Sequence, residues 1–121
     1  MKNAVCRPMV LGSMLLLVCA VSGWAVDAPA DAAKTYAAKC VSCHGKDGKG
    51  NPAMAKVFKV EPAALDVVKK GTLEKTDAYL GKVIKDGLNK MPAYKDKLSD
   101  ADISGVVAYV RGLANTPEPV K

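Results

Sequence analysis

Apolar residues recur every three or four positions in several stretches of this chain, which is the spacing of one helix face. The first stretch begins at Asp31, a residue suited to cap a helix, and its apolar positions are Ala33, Tyr36, Ala37 and Cys40. The stretch TDAYLGKVIKDGL, residues 76–88, has a clearer apolar stripe and has Gly87 near its end. The stripe consists of Tyr79, Leu80, Val83, Ile84 and Leu88. No stretch alternates apolar and polar residues as a strand would. The pattern therefore predicts an all-α domain.

Two more helices and two loops complete the predicted organisation. Ser99 followed by Asp102 is typical of a capping box at a helix start. The buried face of this last helix is predicted to consist of Ile103, Val106, Val107, Val110 and Leu113. A short helix is expected over residues 62–70, started by Pro62 and ended by Gly71. Glycine and proline predict long loops in GKDGKGNPAM, residues 45–54, and NKMPAYKDK, residues 89–97.

The first 25 residues have the pattern of a cleaved secretory signal peptide. Lys2 and Arg7 precede an apolar run, and Gly23 and Ala25 are small residues at the positions that a signal peptidase reads. A retained membrane anchor is an alternative, but the run is short against the ~20 residues that span a bilayer. Attachment of a lipid through Cys19 is a third possibility. We expect export, a flexible lead-in over residues 26–30, one domain over 31–114 and a frayed tail over 115–121.

Removing the signal peptide changes the charge and the cysteine content of the chain. The formal net charge is +6, and loss of Lys2 and Arg7 lowers it to +4. Cys40 and Cys43 are then the cysteines that remain. A domain of this size with so few aromatic residues buries a limited core of its own. We therefore expect a bound group to fill its centre.

The stretch CVSCH, residues 40–44, holds both of those cysteines and the only histidine of the chain. A structural zinc site usually takes four ligands, and no second ligand pair is present. A redox dithiol of the thioredoxin kind would need a βαβ context, which is missing. A disulfide between Cys40 and Cys43 would close a very short loop and stabilise little. Cys-x-x-Cys-His is also the attachment signature of haem c, with both thiols bonded to the porphyrin and His44 as the proximal iron ligand.

The second axial ligand of such a haem is sought among the thioethers left after the signal peptide, Met54 and Met91. Met91 lies in KMPAY, between two predicted helices and far enough along the chain to approach the opposite face of the haem. Pro92 stiffens that loop and limits the conformations lost on ligation. Met54 stands in a glycine-rich loop close to His44, where a haem-edge or surface contact is the simpler interpretation. We expect Met91 to be the ligand.

These motifs resemble those of the small monohaem class I c-type cytochromes of bacteria. The resemblance rests on CVSCHG, on KMPAY and on the final stretch LSDADISGVVAYVRGL. It implies about four helices around one covalently attached haem c, with the N- and C-terminal helices crossing. It also implies that Tyr36 packs on Tyr109, while Ala32 stands where glycine is common at the crossing. A proline carbonyl, from Pro52 or Pro62, is expected to accept the hydrogen bond of His44.

The implied function is that of a periplasmic one-electron carrier and not of an enzyme. A haem protein that binds or senses a small ligand, and an electron-entry subunit of a larger redox enzyme, are the alternatives. The lysines around the two loops would steer a monomeric protein to acidic redox partners that it binds transiently. The lysines in question are Lys46, Lys49, Lys56, Lys59, Lys82, Lys85, Lys90, Lys95 and Lys97. Nucleic acid is not an expected partner, and no stable membrane insertion is expected after signal cleavage.

Overall fold

The computed structural model describes residues 30–116. The expected signal peptide lies outside the described residues, as do residues 26–29 of the lead-in and 117–121 of the tail. The described part is helical and contains no strand, so the all-α prediction is confirmed. None of its helices is long and apolar enough to cross a membrane. The elements are α1 (Ala30–Lys39), α2 (Val41–His44), α3 (Pro52–Phe58), a 3-10 helix (Pro62–Ala64), α4 (Lys70–Leu73), α5 (Asp77–Asp86) and α6 (Asp100–Ala114).

The core lies where α1 packs against α6, and α5 covers a second side of α6. Tyr36 is 2% exposed and contacts Val106 and Val110. Its ring centroid lies 5.2 Å from that of Tyr109, with the ring planes tilted by 48°. Burying a large side chain in this way contributes about 1.5–3 kcal/mol. The expected contact between Tyr36 and Tyr109 is therefore present. Ala32, one helical turn before Tyr36, is also buried.

The starts of α5 and α6 follow directly from their capping residues. The side chain of Thr76 accepts a hydrogen bond from the amide of Tyr79 at 3.2 Å. At α6, Ser99 and Asp102 form the reciprocal capping box that their spacing predicts. Helix α6 buries Ile103, Val106, Val107 and Val110 on one face, as expected, whereas Leu113 is only partly buried. These caps satisfy amides that no helical carbonyl can reach.

Two sequence predictions between residues 45 and 71 are wrong. The loop ends early, because the side chain of Asn51 caps a helix whose first residue is Pro52. The expected helix over residues 62–70 is a 3-10 helix followed by irregular chain, and α4 then runs through Gly71. The carboxylate of Asp66 accepts hydrogen bonds from the amides of Val68 and Lys69, both at 2.9 Å. Side-chain capping of this kind competes with a continuous helix.

Candidate functional site

The CVSCH motif forms one helical turn directly after α1. The amide of Cys40 donates to the carbonyl of Tyr36 at 2.9 Å, and the amides of Cys43 and His44 donate to the carbonyl of Cys40 at 3.2 and 2.9 Å. Residues three and four positions apart lie on the same side of a helical turn. The local fold therefore presents both thiols and the imidazole on one face.

The chain after the motif folds back and secures that turn. The amide of Gly50 donates to the carbonyl of His44 at 2.8 Å, and the amide of Asn51 donates to that of Cys43 at 2.9 Å. The Asn51 side chain also donates to the carbonyl of Ser42 at 2.8 Å. From α1, the hydroxyl of buried Tyr36 donates to the carbonyl of Gly45 at 2.9 Å. The carbonyls at the end of α2 are thus bonded within the protein.

The imidazole of His44 is held by a main-chain carbonyl. Its Nδ1 lies 2.7 Å from the carbonyl oxygen of Leu65. A carbonyl oxygen accepts hydrogen bonds only, so this contact requires a proton on Nδ1, and in the neutral imidazole the lone pair that can bind a metal is then on Nε2. The expectation that Pro52 or Pro62 supplies this carbonyl is wrong. The carbonyl of Pro62 instead accepts from the amide of Leu65 at 3.0 Å, within the 3-10 turn that brings Leu65 to His44.

Both cysteines of the motif are free thiols, so the structure contains no disulfide between them. Burial, and to a smaller extent the neighbouring Cys43, raise the pKa of Cys40 to about 11. Cys40 is therefore a neutral thiol at neutral pH. Across residues 30–116, no three His, Cys, Asp or Glu side chains are placed so that they could hold a metal ion together.

A largely apolar cavity of about 380 Å³ lies beside this face of the motif. It brings together Cys40, His44 and Met91, three of the four predicted site residues. Cys43 lines a smaller cavity of about 50 Å³, which Cys40, His44 and Met91 also border. The apolar walls are contributed by α5 and α6, chiefly through Leu80, Val83, Ile84, Val106 and Val110. Of the two methionines among the described residues, Met54 lines neither cavity.

The segment that carries Met91 is held close to the end of α5. Leu88 and Met91 exchange two backbone hydrogen bonds, at 3.1 and 2.9 Å. Gly87 ends α5 with φ 79° and ψ 168°, a conformation that glycine adopts far more readily than other residues. A Cβ atom at Gly87 would lie 2.7 Å from the carbonyl oxygen of Met91. The Met91 segment can approach α5 this closely because residue 87 has no side chain.

Tyr94, which the sequence did not single out as a site residue, joins the Met91 segment to the CVSCH segment. Its hydroxyl donates to the carbonyl of Lys39 at 3.0 Å, immediately before Cys40. Its amide donates to the carbonyl of Ile84 at 3.1 Å. Burial raises the pKa of Tyr94, and Cys40 and Cys43 raise it further. The tyrosine stays protonated at neutral pH and can maintain the bond to Lys39.

Lysines border the cavities, but most are not the ones that the sequence indicated. Lys82 and Lys85 form ion pairs with Asp86 and Asp100, each at 2.8 Å. Of the nine predicted lysines, Lys90 lines both cavities. The other cationic residues at the cavities are Lys39, Lys69 and Lys75. Their positions depend on how distant segments fold together, which spacing along the chain does not show.

The chain is similar to several known proteins. A family model described as cytochrome c oxidase, cbb3-type, subunit III, matches residues 27–110, a region that includes Cys40, Cys43, His44 and Met91. Cytochrome c6 of Anabaena variabilis is 37% identical over 86 residues, which are 68% of this chain and 87% of the relative. Cytochrome c6 of Nostoc sp. (strain PCC 7120) is 34% identical over 113 residues, covering 85% and 92%. Cytochrome c6 of Microcystis aeruginosa is 39% identical over 84 residues, covering 69% and 95%.

Proposed function

Because this chain belongs to the cytochrome c family, as a small monohaem class I c-type cytochrome, we propose that it is a periplasmic carrier of single electrons. The haem c of this family supplies the redox chemistry, since its iron accepts and releases one electron. The observation that carries the proposal is the convergence of Cys40, His44 and Met91 on one apolar cavity.

The described residues fit a covalently attached haem. Cys40 and Cys43 are free thiols at adjoining cavities and would hold the porphyrin through thioether bonds to its vinyl groups. The apolar side chains of α5 and α6 offer a surface on which a large flat apolar group gains stability by leaving water. Tyr79 and Leu88 line this cavity and are 46% and 51% exposed, although both are large apolar side chains. Their placement is explained if they pack on the porphyrin.

His44 would be the proximal ligand of the iron. The hydrogen bond from Nδ1 to the Leu65 carbonyl fixes the rotation of the ring and selects the neutral tautomer whose Nε2 can bind the iron. The same bond increases the electron-donating strength of the imidazole. Leu65 thus orients the ligand through its main chain, so substitution of its side chain is compatible with this role.

Met91 would be the second axial ligand. Its backbone is fixed by the bonds to Leu88, and the segment is tied to α1 by Tyr94. A histidine and methionine pair raises the reduction potential relative to two nitrogen ligands. Ligation by both His44 and Met91 would leave the iron no open position for a substrate. This favours electron transfer over substrate conversion and over ligand sensing.

Lys39 and Lys90 would guide redox partners to the cysteine end of the site. Both are exposed and both line the smaller cavity beside Cys43. Neither forms an ion pair with any other residue between 30 and 116, so their charge is available to an acidic partner. Such charges raise association rates more than final affinity. We propose a monomer that docks transiently with acidic proteins outside the cytoplasm.

Expression in a strain that matures c-type cytochromes tests the proposal. The purified periplasmic protein should carry the mass of one covalently bound haem, and Cys43→Ala should weaken covalent retention. Ser42→Ala is the matched control within the same turn and should retain haem fully. Reduced protein should bind no carbon monoxide at neutral pH and should exchange electrons with an acidic redox protein at a rate that falls as salt is added. Absence of haem would overturn the proposal, and ready binding of carbon monoxide would identify a ligand-binding haem protein instead.

A further inference from the structure

The larger cavity extends beyond the residues that it shares with the smaller one. The smaller cavity beside Cys43 is also bordered by Pro92 and Tyr94, which marks the cysteine end of the site. Lys69 and Lys75 line the larger cavity but not the smaller one. Among the residues that line only the larger cavity, these two lysines carry the positive charges. We call the part of the site that borders the smaller cavity the attachment end, and the part of the larger cavity that Lys69 and Lys75 line the basic end.

The backbone at this basic end is fixed by side chains from neighbouring segments. The Asp66 carboxylate accepts the amide hydrogen bond of Lys69 at 2.9 Å, and the Lys69 ammonium donates to the carbonyl of Ala63 at 2.6 Å. Arg111 of α6 donates to the carbonyls of Leu73 and Lys75, at 2.8 and 2.7 Å. Arg111 also contacts the carboxylate of Asp77 at 2.7 Å. Both lysines thus extend from anchored chain.

We propose that Lys69 and Lys75 bind the two propionate carboxylates of the haem. This inference rests on the proposed function. The vinyl groups and the propionates of the porphyrin lie at opposite edges of the ring, so attachment through Cys40 and Cys43 would direct the carboxylates away from the cysteines. An anion at the edge of an apolar site is costly unless a cation compensates it. A lysine ammonium provides a charge-assisted hydrogen bond to a carboxylate.

Two other titratable side chains border the basic end. Asp66 lines the cavity, but its carboxylate is already bonded to the amides of Val68 and Lys69. Tyr79 lines it from the start of α5, and the ammonium of Lys75 lies 5.5 Å from its ring centroid. Lys75 is thus held next to an aromatic face on the border of the cavity. Lys69 and Lys75 together would lower the pKa of a nearby carboxylic acid.

The test is the reduction potential of the haem-loaded protein as a function of pH, measured for the parent and for Lys69→Gln, Lys75→Gln and the double variant. Removing a cation near the haem should lower the potential, because the oxidised iron is then less destabilised. The loss of the cation should also move the pH range over which propionate ionisation alters the potential to higher pH, by about one unit. Lys56→Gln changes the same charge on α3, at an exposed residue that lines neither cavity, and is the matched control.

The proposal predicts that both effects exceed those of Lys56→Gln and that the Lys69→Arg, Lys75→Arg double variant restores the parent profile. A glutamine double variant whose profile superimposes on that of Lys56→Gln would overturn it. So would an arginine variant that folds and carries haem but behaves like the glutamine variant. Either result leaves covalent haem in place and the electron-carrier function intact. A parent protein without haem would instead overturn the function together with this inference.

Discussion

Replacement of Gly87 by alanine tests how the Met91 segment is held against α5. The new Cβ atom would lie 2.7 Å from the carbonyl oxygen of Met91, 3.0 Å from the amide nitrogen of Ala93 and 3.1 Å from the carbonyl carbon of Pro92. All three are main-chain atoms, so rotation of a side chain cannot relieve the overlap. The segment must move away, or the end of α5 must change.

The expected loss follows from the backbone conformation of Gly87. With φ 79° and ψ 168°, the residue occupies a region that is almost restricted to glycine. Alanine in that region costs about 1–3 kcal/mol before any steric overlap is counted. In a domain of this size, each kcal/mol lowers the Tm by about 4–8 °C. If Met91 ligates the haem iron as proposed, the shift of its carbonyl should also weaken the bond between its sulfur and the iron.

Thermal unfolding and the absorption spectrum of the oxidised protein measure these two effects. Ferric haem bound to methionine sulfur has a weak band at the red end of the visible spectrum, and Gly87→Ala should reduce it as well as the Tm. Gly112→Ala is the control, since a Cβ there meets no atom within 4 Å and residue 112 lies within α6. It should stabilise the protein by up to about 1 kcal/mol. Parent-like Tm and spectrum in Gly87→Ala would refute this explanation of the Met91 segment.

Three further substitutions have defined outcomes. Tyr36→Phe removes the hydrogen bond to the Gly45 carbonyl and should lower the free energy of unfolding in urea by about 0.5–1.5 kcal/mol. Tyr109→Phe should lower it by less, because the Tyr109 hydroxyl has no hydrogen-bond partner among residues 30–116. Equal losses in the two variants would contradict this. Arg111→Gln removes the hydrogen bonds to Leu73, Lys75 and Asp77 and should lower the free energy of unfolding by about 1–3 kcal/mol. An unchanged denaturation midpoint would show that these bonds do not stabilise the fold. Hydrogen bonds from the Ser99 side chain and backbone lower the pKa of Asp102 in the folded state. The resulting stability is present above the pKa that Asp102 has in the unfolded chain and is lost as pH falls through its pKa in the folded protein. Asp102→Asn should therefore be less stable than the parent at neutral pH and equally stable in acid. A stability difference that does not depend on pH would contradict this.

Features determined by local sequence could be predicted. The capping box at Ser99 and the apolar stripe of α6 depend on residues within one or two helical turns, and both occur as expected. The end of α5 at Gly87 is local in the same sense. The contact between Tyr36 and Tyr109 is long-range, and it could be anticipated only through the family resemblance.

Features that depend on distant segments were missed or misassigned. The carbonyl that binds His44 belongs to Leu65, 21 residues further along the chain, and any residue type could supply it. Tyr94 reaches the carbonyl of Lys39, and Arg111 reaches Leu73 and Lys75, through contacts that no spacing pattern indicates. The predicted loop over residues 45–54 overlaps the start of helix α3, because glycine and proline favour loops, whereas Asn51 and Pro52 together also form a good helix start.

The most direct test of the site is the absorption spectrum of oxidised Met91→Ala beside that of Met54→Ala, with the haem content of each protein confirmed by mass. Ligation by His44 and Met91 predicts that the methionine band is present in the parent and in Met54→Ala. It predicts that Met91→Ala lacks the band while one haem remains covalently attached. Persistence of the band in Met91→Ala, or its loss in Met54→Ala, would contradict the proposed ligand pair.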